Sequence, residues 1–254
     1  MALTSIAGNV AELQQKILAM RNDPEIQRRA KLACESADRL VQLQAQEKID
    51  KVRSMSLVGE RFQDRTFANF EVTEKNKQAH DKAREIAKNP KIGGVFYGSY
   101  GLGKTHLAGA VAHECIARGI PTVVNTLDSI FRRIRATFSG DAKSTEQQLI
   151  DRLTSVPVLI VDDLGKETLS PWSARIFWAL VNERYERGLA LVGTSNLSCD
   201  KYMSSYAAAM KAGDEHISGS TLDRLEEMLG EWVEVSGTSY RMNNKSPGKV
   251  PWQA

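Results

Sequence analysis

An α/β fold, with a parallel sheet covered by helices on both faces and a small helical module ahead of it, is what this sequence predicts. From Phe67 onward, short apolar runs alternate with amphipathic stretches, the pattern of strands joined by crossover helices. One such junction carries Gly98-Ser99-Tyr100-Gly101-Leu102-Gly103-Lys104-Thr105, a complete Walker A phosphate loop, between a strand and a helix. A later apolar run, Val158-Leu159-Ile160-Val161, ends in Asp162-Asp163, the form of a Walker B strand.

The elements follow in order. Ile6, Val10, Leu13, Ile17 and Met20 recur at steps of four and three, one amphipathic helix. Asn22-Asp23-Pro24 breaks it and restarts a second, longer helix marked by Ala33, Ala37, Leu40 or Val41, Ala45, Ile49 and Val52. Two helices alone bury little, so this module packs on the main domain or docks partner helices. Residues 54 to 66 read as a linker. Thr73 or Glu74 to Lys88 is a polar helix, Val95 to Tyr97 a strand, and Lys104 to Arg118 a helix stopped by Gly119. Pro121 to Thr126 is a strand. Asp128 to Phe138 and Thr145 to Leu153 are helices parted by Ser139-Gly140-Asp141. Val158 to Val161 is the third strand. Pro171 to Arg187 is a helix with Ser170 and Gly188 at its ends, and Ala190 to Thr194 the fourth strand. Thr221 to Leu229 is a helix and Trp232 to Val235 the last strand. The division expected is a helical partner-binding module over 1–60 and a nucleotide-hydrolysing domain over 61–254.

Bulk properties bound the function. With 254 residues, 42% hydrophobic and 26% charged, the chain has the makeup of a globular protein. A net charge of +3 sets up no strong field toward nucleic acid. Small basic clusters occur at Arg132, Arg133 and Arg135 and in the last fourteen residues, with Arg241, Lys245 and Lys249. Cys34, Cys115 and Cys199 are too scattered for a zinc knuckle or a disulfide framework, which fits reduced thiols and a cytoplasmic protein. His106 and His113, seven apart on one helix, read as surface or packing residues rather than metal ligands. No run approaches the ~18 apolar residues of a membrane span, and Glu12 and Lys16 interrupt the stretch nearest to a signal peptide.

The chemistry concentrates in three places. The loop glycines let successive N–H groups point at phosphates, and the helix that follows adds its positive end. Lys104 reaches the β- and γ-phosphates, and the Thr105 hydroxyl ligates Mg²⁺. Asp162 also holds Mg²⁺, through water, and Asp163 orients or deprotonates the attacking water. Thr194-Ser195-Asn196 ends the neighbouring strand, where the Asn196 amide can sense the γ-phosphate; its alternative is an ordinary strand-ending turn. Arg224 is a candidate arginine finger for a neighbouring subunit, or else a surface partner of Glu227. Arg241 is a candidate second sensor.

These motifs in this order, Gly-Leu-Gly-Lys-Thr-His-Leu-Ala at 101–108, Asp-Asp-Leu-Gly at 162–165, Thr-Ser-Asn at 194–196, Asp-Arg-Leu at 223–225 and Ser-Tyr-Arg at 239–241, resemble the bacterial helicase loaders of the DnaC/DnaI type. Phe67-Ala68-Asn69-Phe70-Glu71-Val72 resembles the lead-in to their ATPase domain. The resemblance spans about residues 62 to 243. It implies an AAA+ P-loop NTPase fold with sheet order 5-1-4-3-2, and ATP with Mg²⁺ as cofactors. It implies nucleotide contacts from Gly98 through Thr105, from His106 and from Arg241. It further implies self-association in a ring or spiral, an N-terminal module that grips a DnaB-type replicative helicase, and an ATPase domain on single-stranded DNA. Arg132, Arg133, Arg135 and Lys143 fall where such proteins carry a helical insertion and are the expected DNA contacts. One departure stands out: many AAA+ proteins have Asp-Glu at Walker B, whereas Asp163 is one methylene shorter, which implies slow turnover.

Two other readings compete. One is a transposition helper ATPase of the IstB type, acting with a transposase on double-stranded DNA. The other is a nucleotide-gated binding protein without turnover, which the short Asp163 side chain keeps open. A small-molecule kinase gains no support from the Thr-Ser-Asn tip or the N-terminal helices.

Overall fold

A computed structural model describes residues 23–138, 145–167, 170–211 and 218–240. The expected helix around Ile6 to Met20, and the candidates Lys143 and Arg241, lie outside the described residues. Contacts divide the chain into two units, Met1–Asp50 and Lys51–Ala254.

The long helix α1 spans Pro24–Met55, as the Asp-Pro start signal predicts. Asp23 Oδ1 accepts the Glu25 N–H at 2.8 Å and so satisfies one of the first-turn donors. Leu32, Leu40, Val41 and Leu43 on it are more than half exposed.

The second unit is built on a six-stranded, all-parallel sheet. Its strands are β1 (Leu57–Val58), β2 (Gly94–Tyr97), β3 (Thr122–Thr126), β4 (Val158–Leu164), β5 (Leu191–Ser195) and β6 (Glu231–Glu234), in the order β1-β3-β4-β5-β2-β6. Without β1, the order is the expected 5-1-4-3-2 read from the other edge. The helices are α2 (Lys77–Lys88), α3 (Lys104–Ala117), α4 (Leu127–Ala136), α5 (Glu146–Ser155), α6 (Pro171–Glu186), α7 (Cys199–Lys211) and α8 (Ser218–Leu229). Neighbouring strand residues feed opposite faces, as the pleat requires. Phe96, Val124, Ile160 and Val192 pack under α2 and α3. Val95, Val123, Leu159 and Leu191 pack under α4, α6, α7 and α8.

Two elements differ from the sequence reading. The expected linker at 54–66 is structured. Ser56 closes α1 by donating its hydroxyl to Val52 O at 2.8 Å, and accepts the Thr122 N–H at 3.0 Å, which seats β1 beside β3. Glu60–Phe62 and Phe67–Asn69 then form two 3₁₀ turns. Helix α7 was not expected; it buries Tyr202 and Tyr206 against Phe177 and Trp232.

Arg184 on α6 is fully buried. Its guanidinium donates to Leu153 O and Val156 O at 2.8 Å and to Ala190 O at 2.7 Å. Leu153 lies in the last turn of α5, where unpaired carbonyls concentrate partial negative charge. Burial lowers the Arg184 pKa to about 10, so the side chain stays cationic at neutral pH, solvated by backbone oxygens.

Candidate nucleotide site

The parallel register brings the three motifs to one edge. Thr126 lies beside Asp162, and Tyr97 lies beside both Ser195 and Glu234, so the C-terminal ends of β2, β4, β5 and β6 meet where α/β sheets bind ligands. The phosphate loop leaves β2 there. Gly98, Gly101 and Gly103 have φ of 136°, 80° and 95°, which only glycine adopts without strain. Lys104 Nζ folds back over the loop and donates to Gly98 O and Ser99 O, both at 2.8 Å.

Behind the loop, Asp162 is fully buried. Its Oδ1 accepts two hydroxyls, from Thr194 at 2.6 Å and Thr105 at 3.0 Å. Its Oδ2 has no well-aligned hydrogen bond, although Arg61 Nη2 stands 3.0 Å away. Burial pushes the Asp162 pKa up, while Thr194, Arg61 and Thr105 pull against it. Thr194 Oγ1 also accepts the Asp163 N–H at 2.9 Å, so one buried hydroxyl positions both Walker B residues.

Asp163 has φ 63°, the one non-glycine residue with positive φ among the described residues, and sits where the β4–β5 register shifts between Val161 and Leu164. The shift turns its carboxylate into the pocket, where Lys166 Nζ pairs with Oδ1 at 2.9 Å. Ser195 Oγ donates to Leu164 O at 2.8 Å and ties the β5 tip to the same loop.

A pocket of about 420 Å³ joins these groups. Lys104, Thr105, Asp163 and Asn196 line it, with Tyr100 through Gly103 and His106. A wall that sequence reasoning did not assign to the site completes it: Arg61, Asp64, Arg65, Asn69, Phe70 and Glu71 from the lead-in. Tyr240 covers the loop, its N–H donating to Gly101 O and its hydroxyl to Glu71 O, both at 3.0 Å. The Phe67-Ala68-Asn69-Phe70 run was the available signal, and both phenylalanines pack on the core beneath α3.

The two histidines of α3 hold this wall. His106 Nε2 lies 2.9 Å from Thr66 O and 3.0 Å from Asn69 Oδ1, and His113 Nε2 lies 2.9 Å from Phe62 O. Burial lowers the His106 pKa. Both histidines thus fasten one particular segment, and His106 also lines the pocket.

The candidate arginines sit elsewhere. Arg224 Nη1 donates to Asn182 Oδ1 at 2.6 Å, its Nη2 is 3.4 Å from Glu186, and its guanidinium covers the Tyr185 ring at 5.1 Å. It does not line the pocket, and the expected alternative partner Glu227 instead accepts from Tyr185 OH at 2.9 Å. Arg132, Arg133 and Arg135 are exposed on α4, and Arg135 stacks on Trp172 at 4.7 Å.

Comparison with known proteins agrees with this geometry. The family model for the IstB-like ATP binding protein matches residues 9–248. This chain belongs to that family. Among its relatives, the replicative helicase loader DnaC of Buchnera aphidicola subsp. Schizaphis graminum is 27% identical over 205 residues, 76% of each chain. DnaC of Escherichia coli K12 is 28% identical over 149 residues, 58% of this chain and 55% of that one. An ATP-binding protein of insertion sequence IS5376 from Geobacillus stearothermophilus is 30% identical over 153 residues, 59% of this chain and 56% of that one. The fold matches the crystal structure of DnaI at TM-score 0.58, with 20% identity, covering 74% of this chain and 98% of that one. It matches the replication initiator DnaA bound to AMPPCP and single-stranded DNA at TM-score 0.55, with 22% identity, over 69% of this chain and 51% of that one. The fold is AAA+. No described helix is long and apolar enough to cross a membrane.

Proposed function

We propose that this protein is an ATP-dependent loader that places a DnaB-type replicative helicase on single-stranded DNA, with ATP binding and hydrolysis as its switch. The observation that carries this reading is a built phosphate site in a chain similar, over three quarters of both lengths, to a replicative helicase loader. Lys104 and the loop N–H groups hold the β- and γ-phosphates. Thr105 and Asp162 hold Mg²⁺: both offer hard oxygen donors, and the buried Asp162 Oδ2 lacks an aligned donor of its own. When bound, the metal neutralises charge on the phosphate oxygens. Asp163 accepts a proton from, or orients, the attacking water, and Asn196 sits beside the γ-phosphate. Phe70, His106 and Tyr240 line the pocket beside the phosphate loop and would contact the nucleotide, and Arg241, the second-sensor candidate, follows Tyr240 in sequence. Arg224 reaches the site of a neighbouring subunit in a ring or spiral. The helical part of the segment expected over 1–60, with exposed apolar residues on α1, grips the helicase. Arg132, Arg133, Arg135 and Lys143 contact DNA.

ATP turnover with single- or double-stranded DNA, each with and without replicative helicase, tests this. Stimulation by helicase and single strands together is expected. A second reading, a transposition helper, is favoured by the family match and the insertion-sequence relative; stimulation by double-stranded DNA alone would select it. ATP binding without turnover under every condition would select a nucleotide-gated binding protein.

A further inference from the structure

Arg61 stands where the site's anionic oxygens converge. It projects from the turn Glu60–Phe62, and its Nη2 lies 3.0 Å from Asp162 Oδ2, 3.7 Å from Asp163 Oδ2 and 3.5 Å from Thr105 Oγ1. These are the groups assigned above to the metal and the water. The Asp162 side chain is fully buried and that of Arg61 is half exposed, so a long cationic arm reaches from the solvent side to a fixed acid. The backbone beneath the arm is anchored separately, because Phe62 is buried and its carbonyl is held by His113 at 2.9 Å. The guanidinium can leave while the turn stays in place.

A guanidinium and Mg²⁺ compete for these oxygens. Mg²⁺ takes its ligands at about 2.0–2.1 Å in near-octahedral geometry, and a guanidinium nitrogen sits about 2.7–2.9 Å from a carboxylate oxygen. Two cations on Asp162 Oδ2 and Thr105 Oγ1 would repel each other in a partly desolvated site. A buried carboxylate stripped of both cations is costly.

We propose that Arg61 is an exchangeable counter-cation of the phosphate site, holding Asp162 in the nucleotide-free protein and yielding its oxygens to Mg²⁺ when Mg²⁺·ATP binds. Arg61 is thereby a positioning residue that sets how much Mg²⁺ the protein needs to bind nucleotide. This rests on the ATP reading above. The sequence gives no hint of it, since Arg61 lies outside every motif and reaches the acids only through the fold.

The test uses the full chain, a fluorescent ATP analogue titrated with Mg²⁺, and thermal midpoints with and without Mg²⁺·ATP, for wild type, Arg61→Ala and Arg61→Lys. Arg61→Ala is expected to reach half-saturation at Mg²⁺ about two- to fivefold lower, the scale of one partly exposed ion pair. Its nucleotide-free midpoint falls, and Mg²⁺·ATP brings it back to the wild-type level. Arg61→Lys, which keeps the charge on a shorter reach, falls between the two. An equal fall in midpoint with and without Mg²⁺·ATP would make Arg61 a plain structural contact and overturn the exchange. Weaker nucleotide binding by Arg61→Ala at saturating Mg²⁺ would also overturn it, because Arg61 would then contact the nucleotide. Failure of wild type itself to bind the analogue would break the ATP reading and take the exchange down with it.

Discussion

The phosphate loop and the lead-in that crosses it, residues 60–71, line one pocket but are held by opposite means. The loop holds itself: positive-φ glycines set its curl, and Lys104 reaches back five and six residues to Ser99 O and Gly98 O. The lead-in is held by others. His106 and His113 on α3 bind its carbonyls, and Gly103 and Gly109 make room for it. A Cβ at Gly109 would lie 2.5 Å from Arg65 Cβ, and one at Gly103 would lie 2.9 Å from the Phe70 ring. The difference teaches that the curl of the phosphate loop is set by its own glycines and Lys104, with Ser195 and Tyr240 bracing it from outside, whereas the opposite wall exists only once α3 is folded and in place.

That contrast can be broken from either side. Lys104→Ala attacks the self-held part and should have the largest effect, a loss of roughly 100-fold or more in turnover, with nucleotide affinity by fluorescence titration falling with it. Near-normal turnover would overturn the assignment of the loop. Gly109→Ala attacks the borrowed part. Alanine favours a helix interior by roughly 0.5–1 kcal/mol, yet here it must displace Arg65. The protein should remain folded by circular dichroism but bind nucleotide several-fold more weakly, while the loop itself stays intact.

Thr194→Val sharpens the comparison, since Thr194 serves both Walker B residues from a third strand. Losing two hydrogen bonds around a buried carboxylate costs about 1–3 kcal/mol. Turnover should fall about tenfold or more while ATP binding in equilibrium dialysis persists. Loss of binding instead would place Thr194 with the phosphate contacts.

The smallest effect concerns pH. Burial lowers the His106 pKa from its ordinary 6.5, so the folded chain holds the neutral ring. As pH falls below 6.5, the unfolded chain takes up the proton first, and the stability owed to neutral His106 is lost down to the lowered value. His106→Gln should remove that part of the difference between thermal midpoints at about pH 7.5 and about pH 5.5. An unchanged pH dependence would deny His106 the part.

Much of the fold could be read from the chain because its signals are local. The caps at Thr126, Thr145 and Ser170 each begin a helix, the last two with a capping box. The apolar strands fall within one to three residues of their expected bounds at β2, β3, β4 and β5. Strand β1 could not be read, because two residues carry no periodicity and are fixed only by pairing with Val123 and Val124. Helix α7 was missed although Tyr202 and Tyr206 stand one turn apart, since the serines between them dilute the apolar pattern. In the site, Lys104, Thr105, Asp162, Asp163 and Asn196 announce themselves by motif, and Arg61, Thr194 as a bridge and Tyr240 as a cover do not. Their roles depend on partners 31 to 169 residues away in the chain.

Arg184 has a consequence for how this molecule assembles. Its acceptors come from the end of α5, the residues leading into β4 and the residue leading into β5. Removing a guanidinium from water is unfavourable until all of these carbonyls are present to receive it. The N-terminal edge of the central strands therefore forms or comes apart as one cooperative unit rather than strand by strand.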